Sequence, residues 1–422
     1  MGPAAAGTMF YLLLPSGACY EGRMKFICLA LLGCALLGGA VHAAPAPRVF
    51  SLDPHQLVLT RARLATNDAA LLPALGRLRR DADKALKATP GSVMDKSKAP
   101  PSGDKHDYFS LAPYSWPDPA KPDGLPWINR DGQVNPESRR DNDHDALSRL
   151  CSQVESLALA YYLTGHEPYA EKAATLLQVW FLDPATKMNP NLEFAQGVPG
   201  RSTGRGTGII DTVQVIKLTD AIGLLAGAKA WTPDAQRGLE DWFRAYLHWL
   251  LTSKHGRDEA KATNNHGSWY LAQTAAFALF TGDAAQARQQ VELGRARIAS
   301  QTEPDGRQPL ELKRTKSYGY TLFNLEALFT LAEIGRRVDV DLFHYRTADG
   351  RSLRAALDYA APYLDPAQKW PGQQIQEVHQ PDAALAGLLR RGTTLYPDGN
   401  YAALLQRAAD ELAPSRFQLL WP

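Results

Sequence analysis

Two polar clusters in the chain have side chains of the right types to do chemistry. The first is Thr263-Asn264-Asn265-His266-Gly267-Ser268-Trp269-Tyr270, directly ahead of an apolar run with helical spacing. The second, Leu310-Glu311-Leu312-Lys313-Arg314-Thr315-Lys316-Ser317-Tyr318-Gly319-Tyr320, leads into Phe323-Asn324-Leu325-Glu326-Ala327-Leu328. Taken singly, each has a plain structural reading: an N-cap with a hydrogen-bonded histidine, and a surface arginine with core tyrosines. Together they supply the parts for β-elimination at a 4-linked uronic acid. That reaction removes the C5 proton, which is acidic only when the adjacent carboxylate is neutralised by hydrogen bonds or positive charge. Asn265, His266 and Arg314 are of the types that stabilise such an aci-carboxylate. A base must take the proton and an acid must protonate the departing O4, and a tyrosine beside an arginine or histidine serves both if partly ionised.

Other residues read as subsite groups. Asn264, Gln196 and Arg205, with Arg201 nearby, suit sugar hydroxyls and carboxylates, or else simply solubilise their loops. Tyr114, Trp116 and Trp269 are candidates to stack on sugar faces, or are core residues. The run Asp141-Asn142-Asp143-His144-Asp145 alternates carboxylates like a calcium loop. Ala146 and Ser152 stand where that loop needs glycine and glutamate, so acidic helix capping explains it. No Cys/His spacing suggests zinc and no Gly-rich phosphate loop follows a strand, so no metal or cofactor is expected.

The elements that must position these groups read as helices. Leu147, Leu150, Cys151, Val154, Leu157, Ala158, Tyr161 and Tyr162 recur at helical spacing, which places Cys151 on a buried face as an inert core residue. That helix ends at Thr164-Gly165, and Pro168 opens the next, through Trp180. Phe277 to Asp283 repeats the same ending, followed by a helix through Ile298. Further helices are predicted over 54–66, 69–87, 211–227, 233–253, 318–336, 351–362, 379–390 and 400–412. Strand and hairpin signals are scarce. Helix pairs joined by short Gly turns along the whole chain predict an all-α fold, an (α/α) toroid or incomplete α/α barrel. Residues 88–140 and 183–210 break the pattern. The first contains Tyr108, Phe109, Tyr114, Trp116 and Trp127, too many aromatics for a disordered linker, and reads as an ordered, cleft-lining loop.

Composition sets the outer bounds. The 422 residues are 45% hydrophobic and 21% charged, with 46 Lys+Arg against 44 Asp+Glu. This excludes collagen-like, disordered and multi-span membrane classes, and the balanced charge without basic runs argues against nucleic-acid binding. From Met24 the chain reads as a secretory leader: Lys25, a short apolar core, then Val41 and Ala43 ahead of a cleavage point. Residues 1–43 are therefore expected to be a signal peptide, with 1–23 a misassigned extension if Met24 is the true start. A lipoprotein reading at Leu31-Leu32-Gly33-Cys34 ranks lower because the apolar core continues past Cys34. Residues 44–422 are expected to form one catalytic domain, periplasmic or secreted, monomeric and free of the membrane after cleavage. Cys19, Cys28 and Cys34 fall outside it, so Cys151 remains without a disulfide partner.

The chain resembles the alginate lyase superfamily of polysaccharide lyases, including family 5 and the glucuronan lyases of family 38. The matching pieces are Tyr114-Ser115-Trp116-Pro117-Asp118-Pro119, Lys187-Met188-Asn189-Pro190-Asn191-Leu192 with Ala195-Gln196-Gly197, Asn264-Asn265-His266, and Glu311-Leu312-Lys313-Arg314 with Tyr320 and Asn324-Leu325. The resemblance implies a toroid with a deep cleft and an anionic polysaccharide as partner. It also implies that Asn265 and His266 neutralise the uronate carboxylate with Arg314 as cationic helper, and that Tyr320 transfers protons. Tyr320 lies one position closer to the arginine than the family's phenol, but it occupies the slot before the Asn-Leu helix segment, which favours it over Tyr318. His266 as base with Tyr320 as acid remains an equal alternative. The substrate reads as glucuronan or polymannuronate, with the loops tilting towards glucuronan. Two readings from other classes compete: a toroidal glycoside hydrolase using Asp143 and Glu311, and a non-catalytic glycan-binding protein.

Overall fold

In the computed structural model, which describes residues 46–378 and 381–422, short turns join helices along nearly the whole chain. The leader and its proposed cleavage point lie outside the described residues. The helices are α1 Pro54–Ala65, α2 Leu72–Leu86, α3 His144–Thr164, α4 Glu167–Phe181, α5 Ile216–Leu224, α6 Pro233–Thr252, α7 Lys254–Ala260, α8 Asn265–Phe280, α9 Ala284–Gln301, α10 Pro309–Leu312, α11 Ser317–Gly335, α12 Leu353–Ala360, α13 Ala383–Leu395, α14 Tyr401–Arg407 and α15 Phe417–Leu420. They form an (α/α) toroid in which α3 packs on α4 and α8 packs on both α9 and α11. Among the described residues no helix is long and apolar enough to cross a membrane.

Local chemistry sets the helix ends. Gly165 closes α3 at φ 69°, a left-handed conformation that suits glycine, and Pro168 stands at the start of α4. The Thr232 and Asp283 side chains cap α6 and α9 by accepting from Ala235 N and Gln286 N. Helices α8 and α11 differ from the rest in being apolar on all sides. Every residue of α8 except His266 is buried, as is nearly all of α11, which makes them the inner wall of the toroid.

Several elements differ from the sequence reading. The helix predicted over 211–227 is a 3-10 stretch, Gly206–Val215, followed by α5. Glycines and β-branched residues weaken an α-helix there, and the Thr212 hydroxyl is drawn into bonds with Tyr246 and Gln273. The short helices α7 and α10 were not foreseen, and the last predicted helix stops at Arg407. In the run 141–145 ahead of α3, Asn142 Oδ1 accepts from His144 N at 3.0 Å and Asp145 stands in the first turn, but Asp143 at the N-cap does not cap the helix. Asp143 is 2% exposed, makes no cap bond, and instead meets Lys96 Nζ at 3.0 Å and accepts from Phe109 N at 2.8 Å. Cys151 is buried as predicted, and burial pushes its thiol well above the ordinary range.

The two long loops are tied together. Strand β1 (Phe109–Leu111), from the first loop, pairs in parallel with β4 (Phe194–Gly197), from the second. Within the first loop, β2 (Ser115–Trp116) pairs antiparallel with β3 (Ile128–Asn129). The β1–β4 pairing fixes the two loops to each other.

Asp220 on α5 anchors the segment ahead of α1 by accepting from the Ser51 hydroxyl and from the Phe50 and Ser51 amides. Burial outweighs these bonds and pushes its carboxyl up to about 6. An unfolded aspartate titrates near ~3.9, so between roughly pH 4 and 6 the folded state holds a proton that the unfolded state has released. Asp220 therefore removes stability as pH rises through that window. Asp220→Asn is expected to flatten the fall in denaturation midpoint between pH 4 and 6; an unchanged slope would contradict this.

Candidate active site

His266 is the second residue of α8, and its position is set by two buried carboxylates. The N-terminal cap of α8 comes from another helix. Glu311 on α10 accepts from Asn265 N at 2.8 Å and from Asn265 Nδ2 at 2.7 Å, while the Asn264 side chain makes no cap bond. Burial raises the Glu311 carboxyl, and the Asn265 bonds and the nearby Arg314 and His266 charges offset part of that. The second carboxylate is Glu259 of α7, 2% exposed, which accepts from His266 Nδ1 at 2.6 Å. Next to His266, Gly267 packs so closely that a Cβ would sit 2.1 Å from Ala262 O and 2.7 Å from the Arg297 guanidinium. Only glycine lets α8 start there. The helix dipole at this end of α8 favours negative charge beside His266.

Arg314, Tyr320 and Tyr114 form the facing group. The Arg314 guanidinium lies 3.6 Å over the Tyr320 ring, and Tyr320 Oη donates to Tyr114 Oη at 2.8 Å. Lys316 Nζ lies 6.0 Å from the centre of the Tyr114 ring. Arg314 is also paired: its Nε and Nη2 both donate to Asp131, with Nη2 to Oδ1 at 2.5 Å. Burial would raise the Asp131 carboxyl, but Arg314 and Thr315 pull it down to about 2. Burial works against the Arg314 charge, yet Asp131 and the neighbouring Tyr320 outweigh it and hold the guanidinium above its usual value. Tyr320 itself is held well above the ordinary phenol range, first by burial and then by the adjacent Tyr114 phenol, so its hydroxyl is protonated. Gly132, at φ 74°, lets the Asp131 turn lie on the second cluster, where a Cβ would stand 2.3 Å from Thr315 Oγ1.

Three carboxylates hold the candidate residues, Glu311 on Asn265, Glu259 on His266 and Asp131 on Arg314, while Tyr320 bonds Tyr114, and Glu311 feels the charges of both Arg314 and His266. Asn265 and Arg314 are not free as the sequence suggested, because each is already bonded to a carboxylate. Gln196 is a strut: 6% exposed and at φ 49°, it donates from Nε2 to Asp211 Oδ1 at 2.7 Å and accepts from Arg205 Nη2 at 2.9 Å. That strained, enclosed position corrects its reading as a direct sugar contact. Among the described residues Arg205 forms no salt bridge, and burial lowers its affinity for its proton. Trp269 is 6% exposed and packs on Phe323 with ring centres 5.1 Å apart, so it is a wall residue. Both line a cavity of about 780 Å³ that Tyr318, Gly319 and Leu322 of α11 also line. Trp116 bonds Gln133 O and lies under Arg130, while Asn264 is half-buried with no side-chain bond. Among the described residues no group of three or more His, Cys, Asp or Glu side chains is arranged to hold a metal ion.

Glu259 and Asp131 escaped the sequence reading. Each sits in a charged, loop-like run, Arg257-Asp258-Glu259 and Arg130-Asp131-Gly132, and only the tertiary fold gives it its partner.

A family model described as alginate lyase matches residues 92–370, and that span contains every residue of this network. The chain belongs to the alginate lyase family. An alginate lyase from Bacteroides ovatus, solved as a crystal structure, is 40% identical over 89% of this chain and 99% of its own, with a TM-score of 0.85. Alginate lyase A1-III from Sphingomonas species A1 is 16% identical over 86% of this chain and 90% of its own, with a TM-score of 0.45. A comparison with curated proteins finds no match. As an alginate lyase family member the chain is a polysaccharide lyase, which overturns the hydrolase and non-catalytic readings. The two carboxylates proposed for hydrolysis are also committed, Asp143 to Lys96 and Glu311 to Asn265.

Proposed function

We propose that the chain cleaves a 4-linked β-D-polyuronate by β-elimination in the His266–Tyr320 cleft, with polymannuronate blocks of alginate as the preferred polymer. The observation that carries this reading is the Arg314 guanidinium stacked on the protonated Tyr320 phenol and anchored by Asp131, together with the His266–Glu259 pair. Removal of the C5 proton sends its electron pair into a new C4=C5 bond. The C4–O4 bond breaks, and O4 leaves with a proton. Tyr320 has the proton to give. The remaining Asn265 amide hydrogen and the α8 N-terminus supply a hydrogen bond and positive potential to the uronate carboxylate, and Arg314 adds charge from behind. The Bacteroides relative is named for alginate, which moves the substrate preference from glucuronan to alginate.

The enzyme acts outside the cytoplasm in this reading, on the support of the leader-like run from Met24 to Ala43. The test is a panel of polymannuronate, polyguluronate, mixed alginate and glucuronan assayed for an unsaturated, ultraviolet-absorbing product. Polymannuronate is expected to give the highest kcat/KM. Turnover of none of the four would sink the proposal, and a clear preference for glucuronan would overturn the choice of polymer.

A further inference from the structure

The buried carboxylate of Glu259 has a consequence for which group takes the C5 proton. Glu259 is 2% exposed, and the partner that faces it within ion-pair distance is His266 Nδ1, at 2.6 Å. A carboxylate only accepts hydrogen bonds, so Nδ1 must carry the hydrogen. In the neutral ring this leaves the lone pair on Nε2, and the His266 side chain is 21% exposed, so the ring is partly open to solvent. Its placement is rigid on every side. Glu259 rides on α7, whose first turn is capped by the Ser253 hydroxyl accepting from Gly256 N. Arg297 holds the carbonyls of Ala260 and Ala262 in the turn between α7 and α8.

The charged and titratable groups around the pair are Glu311 from α10, which feels the His266 charge, and Arg205 and the Tyr270 phenol, which feel Glu259. Tyr320, by contrast, faces another phenol and holds its proton, the state of an acid before reaction.

We propose that Glu259 is a positioning residue that locks His266 in the Nδ1–H tautomer, making Nε2 the base that removes the C5 proton while Tyr320 protonates O4. This rests on the β-elimination reading above. The step balances: Nε2 gains the C5 proton, the C5–H electrons become the C4=C5 bond, and the C4–O4 electrons leave on oxygen. That oxygen takes the Tyr320 proton, and proton exchange with water then restores both side chains.

The experiment measures the His266 ring nitrogens by long-range proton–nitrogen NMR on the full-length exported chain at mildly alkaline pH, beside kinetics of Glu259→Gln and Glu259→Asp. Wild type is expected to show a protonated Nδ1 and an unprotonated Nε2. Glu259→Gln is expected to mix the tautomers and lower kcat about 10²–10⁴-fold with KM within about 3-fold, because the amide accepts or donates with equal ease. Glu259→Asp, which keeps the charge, is expected to recover part of kcat. A wild-type Nε2–H tautomer, or an unchanged kcat in Glu259→Gln, overturns the proposal. The wild-type spectrum decides even if the variants fail to fold. Absence of an unsaturated product from wild type on every polyuronate defeats the elimination reading instead, and the tautomer result stands apart from it.

Discussion

Tyr320→Phe is expected to reduce kcat on the best polyuronate by about 10²–10⁴-fold, the range for loss of a positioned proton donor, while KM stays close to wild type. The substitution removes one hydroxyl and the bond to Tyr114 Oη. The ring, its stacking under Arg314 and its burial all remain. A lost bond between two phenols contributes roughly 0.5–1.5 kcal/mol to stability, so the fold should persist. Steady-state kinetics on ultraviolet absorbance, with a thermal melt as control, make the check. A variant that retains more than a tenth of wild-type kcat would remove Tyr320 from the proton transfer.

Lys96→Met is expected to give the largest loss of stability in the molecule, about 3–5 kcal/mol at pH 8, read as a shift in denaturant midpoint at constant slope. Lys96 is 4% exposed, and its Nζ donates to Val93 O at 2.5 Å and Lys105 O at 2.7 Å besides meeting Asp143. Methionine fills a similar volume but leaves two carbonyls without a donor and a buried carboxylate without its counter-ion. The sign with pH is definite. Burial already pushes the Asp143 carboxyl up to about 6, and losing the cation raises it further. Below that range Asp143 is neutral and the penalty shrinks, so the deficit at pH 5 should be smaller than at pH 8. An equal deficit at both would mean that packing dominates the effect.

The helical architecture was legible because its causes are local. The spacing of Leu147 to Tyr162, the Gly165 stop and the Pro168 start each act within one or two turns, and the α/α toroid follows from their repetition. Helix ends were less legible where tertiary bonds compete, as at Thr212, whose hydroxyl prefers Tyr246 and Gln273. In the candidate site, type and order single out Asn265, His266, Arg314 and Tyr320 as residues to consider. They do not single out the partners. Glu311 is 46 positions from Asn265 and Asp131 is 183 from Arg314, and neither carboxylate differs in sequence from a solvated surface acid. Gln196 was misread for the complementary reason. A polar residue in a Gly-rich loop looks exposed until the fold buries it against Asp211.

The parallel pairing of β1 with β4 also bears on how such a cleft diversifies. One loop delivers Tyr114 and Asp131 and the other delivers Gln196 and Arg205, yet Phe109 is registered on Phe194 and Leu111 on Gly197. The backbone couples the two segments whatever their side chains are. An exchange of specificity between relatives, by recombination or by loop grafting, must therefore carry 88–140 and 183–210 as one matched cassette. The buried frames of α8 and α11 can stay as they are, provided the incoming first loop keeps Tyr114 and Asp131, which hold Tyr320 and Arg314 in place.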